Sequence, residues 1–179
     1  MKKAAFIERD TLLNLATTEG QQKTPTAWDQ FHVNKGALTC LQRLRAAGYL
    51  LIVTTNQPEI SEGTLSRRDL DRMHDLLRAT FPLDDIMFCP HEVDDDCPCR
   101  KPRAGMFHEA AFKHHLLLGQ SVVISPRWQD AQVARVIGAS IFLIESPWLG
   151  SADHQFALRN LDAAVDKLFE RERLHYNVA

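Results

Sequence analysis

The 179-residue chain has no excess of either charge: 21 Lys and Arg stand against 23 Asp and Glu, for a net of -2. That removes the electrostatic footprint of a nucleic-acid-binding protein. It has no apolar run near the roughly 18 residues that a membrane-crossing helix requires. A secretory segment is not expected either, because Glu8, Arg9 and Asp10 cut short the apolar stretch behind Lys2-Lys3. Internal repeats and linker-like stretches are missing too. The expectation is one domain over residues 1–179, cytoplasmic and monomeric, with neither nucleic acid nor membrane as partner.

Cysteine is scarce, with four residues, and unevenly placed. Cys40 falls in a helical apolar pattern with Leu38, Leu41 and Leu44, and is expected as a buried core thiol. Cys89, Cys97 and Cys99 instead crowd one loop together with His91. In a reducing compartment such a cluster points to metal more than to disulfides. Three thiolates and one imidazole form the donor set that zinc takes in a closed tetrahedral shell. A closed shell leaves no position for water, so the expected zinc is structural and staples loop 89–99. Pro90, Pro98 and Pro102 stiffen the same stretch, and Asp94-Asp95-Asp96 reads as its solvated side.

Around that loop, apolar runs alternate with helical patterns. Strands are expected at 3–7, 49–54, 84–88, 121–124 and 140–144. Helices are expected at 34–47, 66–80, 105–117, 129–137 and 160–173, with a polar loop over 14–33. Gly48 and Gly138 read as helix stops and Ser66 as a helix start. The alternation predicts an α/β fold, a parallel sheet with helices on both faces. In such sheets ligands sit at the carboxyl ends of strands. Three of those ends are polar: Glu8-Arg9-Asp10, Thr55-Asn56-Gln57 and Ser125-Pro126-Arg127.

The order of these motifs, with the cysteine loop running into Cys99-Arg100-Lys101-Pro102, resembles the haloacid dehalogenase superfamily. Within it, the chain is similar to the zinc-loop phosphatases of heptose bisphosphate and histidinol phosphate. The resemblance spans about residues 3–148. It implies a three-layer Rossmann-like fold without a large cap domain, and a phosphatase site. In that family the first strand ends in Asp-x-Asp-Gly-Thr, whose first Asp is the nucleophile and whose second is the acid/base. Here Glu8 stands at the nucleophile position, Asp10 at the acid/base, and Thr11-Leu12 replaces Gly-Thr. By the same match Thr55 and Lys101 are catalytic, and Thr55, Asn56, Arg100, Lys101 and Arg127 bind phosphate. The magnesium carboxylates would be Glu8, Asp10 and Asp130, but Pro126 occupies the position of a further metal carboxylate. Pro58-Glu59 and Ser61-Glu62 replace the family's Ser-Gly-basic recognition loop.

Glu in place of Asp adds reach on the order of 1 Å at the attacking oxygen, and a misplacement of that size costs about a hundredfold in rate. A lost hard ligand weakens magnesium further. The expected protein is therefore phosphatase-like, with weak or lost hydrolysis and retained binding of a phosphorylated sugar or a protein partner. The alternative is an active magnesium-dependent phosphosugar phosphatase using Glu8; a third reading is a structural subunit of an assembly.

Overall fold

The computed structural model describes residues 1–15, 24–150 and 153–176; part of the expected loop 14–33, residues 16–23, lies outside them. Five strands, β1 (Lys3–Glu8), β2 (Tyr49–Asn56), β3 (Asp85–Cys89), β4 (Val122–Ser125) and β5 (Ser140–Leu143), form one sheet in the order β3-β2-β1-β4-β5. Every pairing is parallel. The connecting helices are α1 (Leu38–Ala46), α2 (Arg67–Thr80), α3 (Gly105–His114), α4 (Trp128–Ile137) and α5 (Leu161–Tyr176).

Alternate side chains of each strand serve opposite faces. Ala5 and Ile7 of β1, Leu51 and Val53 of β2 and Ile124 of β4 pack with Leu41 and Leu44 of α1, Leu70, Met73 and Leu77 of α2, and Ala164, Val165 and Leu168 of α5. Ala4 and Phe6 of β1, Ile52 of β2 and Val123 of β4 pack with Met106, Phe107 and Ala110 of α3, and Val133 and Ala134 of α4. The result is three layers, with α1, α2 and α5 on one face and α3 and α4 on the other. Phe6 anchors the second face, its ring centroid 4.7 Å from that of Phe107; Phe6→Ala is expected to cost about 3–5 kcal/mol.

Helix boundaries follow the expected signals with local differences. Ser66 caps α2 by accepting the Asp69 amide at 3.0 Å. Gly48 and Gly138 both adopt positive φ. The expected helix over 34–47 starts four residues later, because Lys35–Ala37 is a tighter 3₁₀ turn. The helix expected to reach Leu117 ends at His114, where His115 turns left-handed with φ 55°. Cys40 is buried as expected, yet it donates to Asp162 Oδ1 at 2.9 Å rather than packing only against apolar atoms. Among the described residues no cap domain covers the strand ends: the stretch between β1 and α1 holds 3₁₀ turns at Trp28–Gln30 and Lys35–Ala37 and isolated bridges of Asn14 with Asp10 and Val33.

Candidate active site and sulfur cluster

The parallel register brings the three polar strand ends side by side. Glu8 lies beside Thr54, and Ile7 beside Ile124, so β1 sits between the other two. Lys101 joins them from the loop after β3. It is anchored by Asn56, which donates Nδ2 to the Lys101 carbonyl at 3.2 Å and accepts the Lys101 amide at 3.1 Å.

Lys101 Nζ donates to Glu8 Oε2, to Asp130 at 2.9 Å and to the Thr54 carbonyl at 3.2 Å. All three ionisable side chains are buried. Burial opposes the charge on Lys101, but Asp130 and Glu8 outweigh it and hold the ammonium above its ordinary range. Burial likewise opposes the charge on Glu8, and the charges of Lys101 and Arg127 overcome it, so Glu8 lies below the usual carboxylate range. Asp130, which shares its lysine with Glu8, is pushed up by burial. Ser125 donates to it at 2.7 Å.

Arg127 completes this group. Its Nε lies 4.0 Å from Glu8 Oε2, and its Cζ lies 4.5 Å from the centroid of the Trp148 ring. A cleft of about 150 Å³ is bordered by Glu8, Asn56, Arg100, Lys101 and Arg127, with Pro58, Glu59 and Gln129 around it. Asp10 and Thr55 do not line that cleft. Both are buried and joined through Gln57 Nε2, which donates to Thr55 Oγ1 at 3.0 Å and to Asp10 Oδ2 at 3.2 Å. Arg9 holds the other Asp10 oxygen, from Nη2 at 2.7 Å and Nε at 3.0 Å.

These contacts test the magnesium expectation. Magnesium needs hard oxygens free to complete an octahedron. Glu8 Oε1 already accepts the Asp10 amide at 3.2 Å, and Oε2 faces Lys101. Both Asp10 oxygens accept hydrogen bonds, and Asp130 accepts from Lys101 and Ser125 through Oδ2, which leaves its Oδ1 as the one carboxylate oxygen of the three without a hydrogen-bond partner, too few for an octahedron. Three carboxylates thus meet three fixed cations, Arg9, Lys101 and Arg127. With Pro126 offering no side-chain donor, the set does not fit magnesium.

The sulfur cluster is a different case. Cys89, His91, Cys97 and Cys99 bring their donor atoms within 4.8 Å of one another. The Cys89–Cys97, Cys97–Cys99 and Cys89–Cys99 sulfurs are 3.6, 3.5 and 3.2 Å apart, and His91 Nδ1 is 3.2 Å from Cys99 Sγ. A tetrahedral shell with metal–sulfur bonds of about 2.3 Å sets sulfurs about 3.7 Å apart, so the donors fit a four-coordinate metal ion. Cys89 ends β3, and the loop is braced by Arg100 on the His91 carbonyl at 2.9 Å and Arg103 on the Cys97 carbonyl at 2.7 Å. Gly105 permits its closest approach: a Cβ there would collide with the Pro98 carbonyl.

Sequence reasoning named Glu8, Asn56, Arg100, Lys101, Arg127 and Asp130, which the structure gathers, and Asp10 and Thr55, which it sets behind them. It missed Gln57, Arg9, Ser125 and Trp148 as site residues. Gln57 had a signal in its place after Thr55-Asn56. Trp148 had none, since it arrives from the distant loop after β5.

A Rossmann-like sheet with a buried carboxylate–lysine group at its strand ends defines a phosphatase-type α/β protein. A family profile described as polynucleotide kinase 3 phosphatase matches residues 4–126. The D-glycero-beta-D-manno-heptose-1,7-bisphosphate 7-phosphatase of Helicobacter pylori is 30% identical over 153 residues, covering 81% of this chain and 86% of that protein. The enzyme of the same name from Pasteurella multocida is 32% identical, covering 73% and 74%. The crystal structure of the Bordetella bronchiseptica D,D-heptose 1,7-bisphosphate phosphatase, complexed with magnesium and phosphate, aligns with a TM-score of 0.76 at 23% identity, covering 96% of this chain and 99% of that one. The chain belongs to the heptose-bisphosphate phosphatase family of the haloacid dehalogenase superfamily.

Proposed function

We propose that the protein binds a phosphorylated sugar at the Glu8–Lys101–Arg127 cleft without magnesium, and that its hydrolysis is weak or lost. The observation that carries this reading is the closed ion group of Glu8, Lys101 and Asp130, with Arg127 beside it. The Arg100 and Arg127 guanidiniums that border the cleft supply the positive charge that a phosphate needs, and arginine can bind it bidentately. The relatives' substrate, heptose 1,7-bisphosphate, is the ligand to try first. The deciding experiment titrates inorganic phosphate and heptose 1,7-bisphosphate in EDTA by calorimetry. Saturable binding supports the reading, and absence of binding by both ligands refutes it.

One observation favours the second reading, an active hydrolase. Glu8 stays ionised, as an attacking carboxylate must. Phosphate release that disappears in Asp10→Ala would establish that activity and overturn the claim of lost turnover.

The sulfur cluster, in this proposal, holds one structural zinc through Cys89, His91, Cys97 and Cys99. Its chemistry would be mechanical, tying a loop without a core of its own to the end of β3. Elemental analysis of protein purified without added metal or chelator should find close to one zinc per chain.

A further inference from the structure

The small phosphate cleft does not stand alone. Asn56, Arg100, Lys101 and Gln129, which border it, also border a second cleft of about 350 Å³. The two clefts therefore adjoin across these residues, with unlike linings. The second is walled by Val93, Pro102 and Trp128, with Arg103 at its edge. Trp128 is 39% exposed and Val93 72% exposed, so two large apolar side chains meet water at the mouth of a charged pocket. Apolar walls with a few fixed polar groups are the usual make-up of a small-molecule site. A phosphate alone would leave this cleft empty.

We infer that the second cleft takes the sugar of a phosphosugar whose phosphate occupies the first, with Trp128 as its platform. The inference rests on the phosphosugar reading above and adds where the organic part sits. A sugar ring has an apolar C–H face and a polar edge. The face packs on the Trp128 ring, and the edge meets Arg100 and Arg103. Backbone carbonyls fix both guanidiniums: His91 accepts from Arg100 and Cys97 from Arg103. An arginine carries five N–H donors in a rigid fork, so Arg100 retains donors for a second anionic group on the sugar, while Arg103, which also pairs with the exposed Asp96 carboxylate, would have to share its charge. No metal enters this arrangement.

The test compares two ligands on one protein. Wild type and Trp128→Ala are titrated in EDTA with inorganic phosphate and with heptose 1,7-bisphosphate, and the ratio of the two affinities is read. An aromatic face contributes on the order of 1 kcal/mol, so the wild-type preference for the bisphosphate should fall about fivefold to tenfold in Trp128→Ala. Trp128→Phe keeps a ring and should retain most of the preference. Val93→Glu alters a highly exposed position, leaves the core intact, and should lower the same ratio by repelling the bisphosphate. If Trp128→Ala unfolds, Val93→Glu alone decides. A ratio unmoved by the folded variants overturns the inference while phosphate binding stands. No binding of either ligand by wild type removes the functional reading and this inference together.

Discussion

The Arg127 guanidinium carbon stands 4.5 Å from the centre of the Trp148 ring while Arg127 Nε reaches to 4.0 Å from Glu8. Trp148 thereby keeps a positive charge at the mouth of the phosphate cleft. A charge-assisted contact of this kind contributes about 1.5–3 kcal/mol, so Arg127→Gln should weaken phosphate binding roughly tenfold to a hundredfold. Trp148→Ala, which frees the arginine without deleting it, should weaken it about threefold, the worth of a cation–π contact at a half-exposed site. Calorimetry in EDTA reads both; equal affinity in all three proteins would sink the assignment of Arg127.

Removing metal should separate the two sites. If the sulfur cluster holds the proposed zinc, a strong chelator or the Cys97→Ser change should lower the melting temperature by on the order of 10 °C. Millimolar magnesium should move it by less than about 1 °C, because all but one of the oxygens of Glu8, Asp10 and Asp130 are already paired. A large stabilisation by magnesium would show that the carboxylates release their cations, contrary to the fixed-cation reading.

Restoring the family's acids should restore chemistry. Glu8→Asp with Pro126→Asp shortens the nucleophile and supplies a hard ligand. Phosphate release from heptose 1,7-bisphosphate should become magnesium-dependent and rise at least about a hundredfold over wild type. A double variant as slow as its parent would mean that Arg127 or the committed Asp10 also blocks turnover.

His74 makes stability sensitive to acid. It is buried on α2, its Nε2 has no hydrogen-bond partner, and burial, followed by the charges of Arg9, Arg78 and Arg67, pushes it down to about 3. The unfolded chain takes up a proton below about pH 6.5 while the native protein refuses it. The stability tied to the neutral ring is therefore complete above pH 6.5 and is lost as pH falls towards 3. Between pH 7 and 5 the loss from this residue should be about 2 kcal/mol. Denaturant melts of His74→Gln should show a shallower slope over that window; an unchanged slope would discount His74.

Thr11 is a β-branched residue at φ 71°, where the family resemblance expects glycine. That backbone region costs a non-glycine residue about 1–2 kcal/mol. Thr11→Gly should raise the melting temperature by about 2–6 °C. A lower melting temperature would mean that the threonine side chain makes contacts outweighing the strain.

The fold was legible because apolar runs of strand length alternate with helical spacings, as at 3–7 and 34–47, and such patterns survive tertiary packing. The sulfur cluster was legible because its four residues are close in sequence. Glu8 and Arg127 were marked by their places at polar strand ends, whereas Lys101 and Asp130, in a loop and on a helix, could be placed only through a resemblance. The partners that decide what those residues do were hidden. Arg9 reads as one more charge in Glu8-Arg9-Asp10, yet in space it occupies an Asp10 oxygen that a metal would need. Trp148 meets Arg127 only because the loop after β5 folds back, with the Trp148 carbonyl accepting from the Trp128 amide at 3.4 Å.

Lys101 follows Cys99 by two residues, and Asn56 clamps its main chain from the neighbouring strand. One short piece of backbone therefore serves both the sulfur cluster and the phosphate cleft. Any coupling that this backbone carries must be reciprocal: if metal tightens the hold on an occupant that restrains Lys101, that occupant tightens the hold on metal by the same factor.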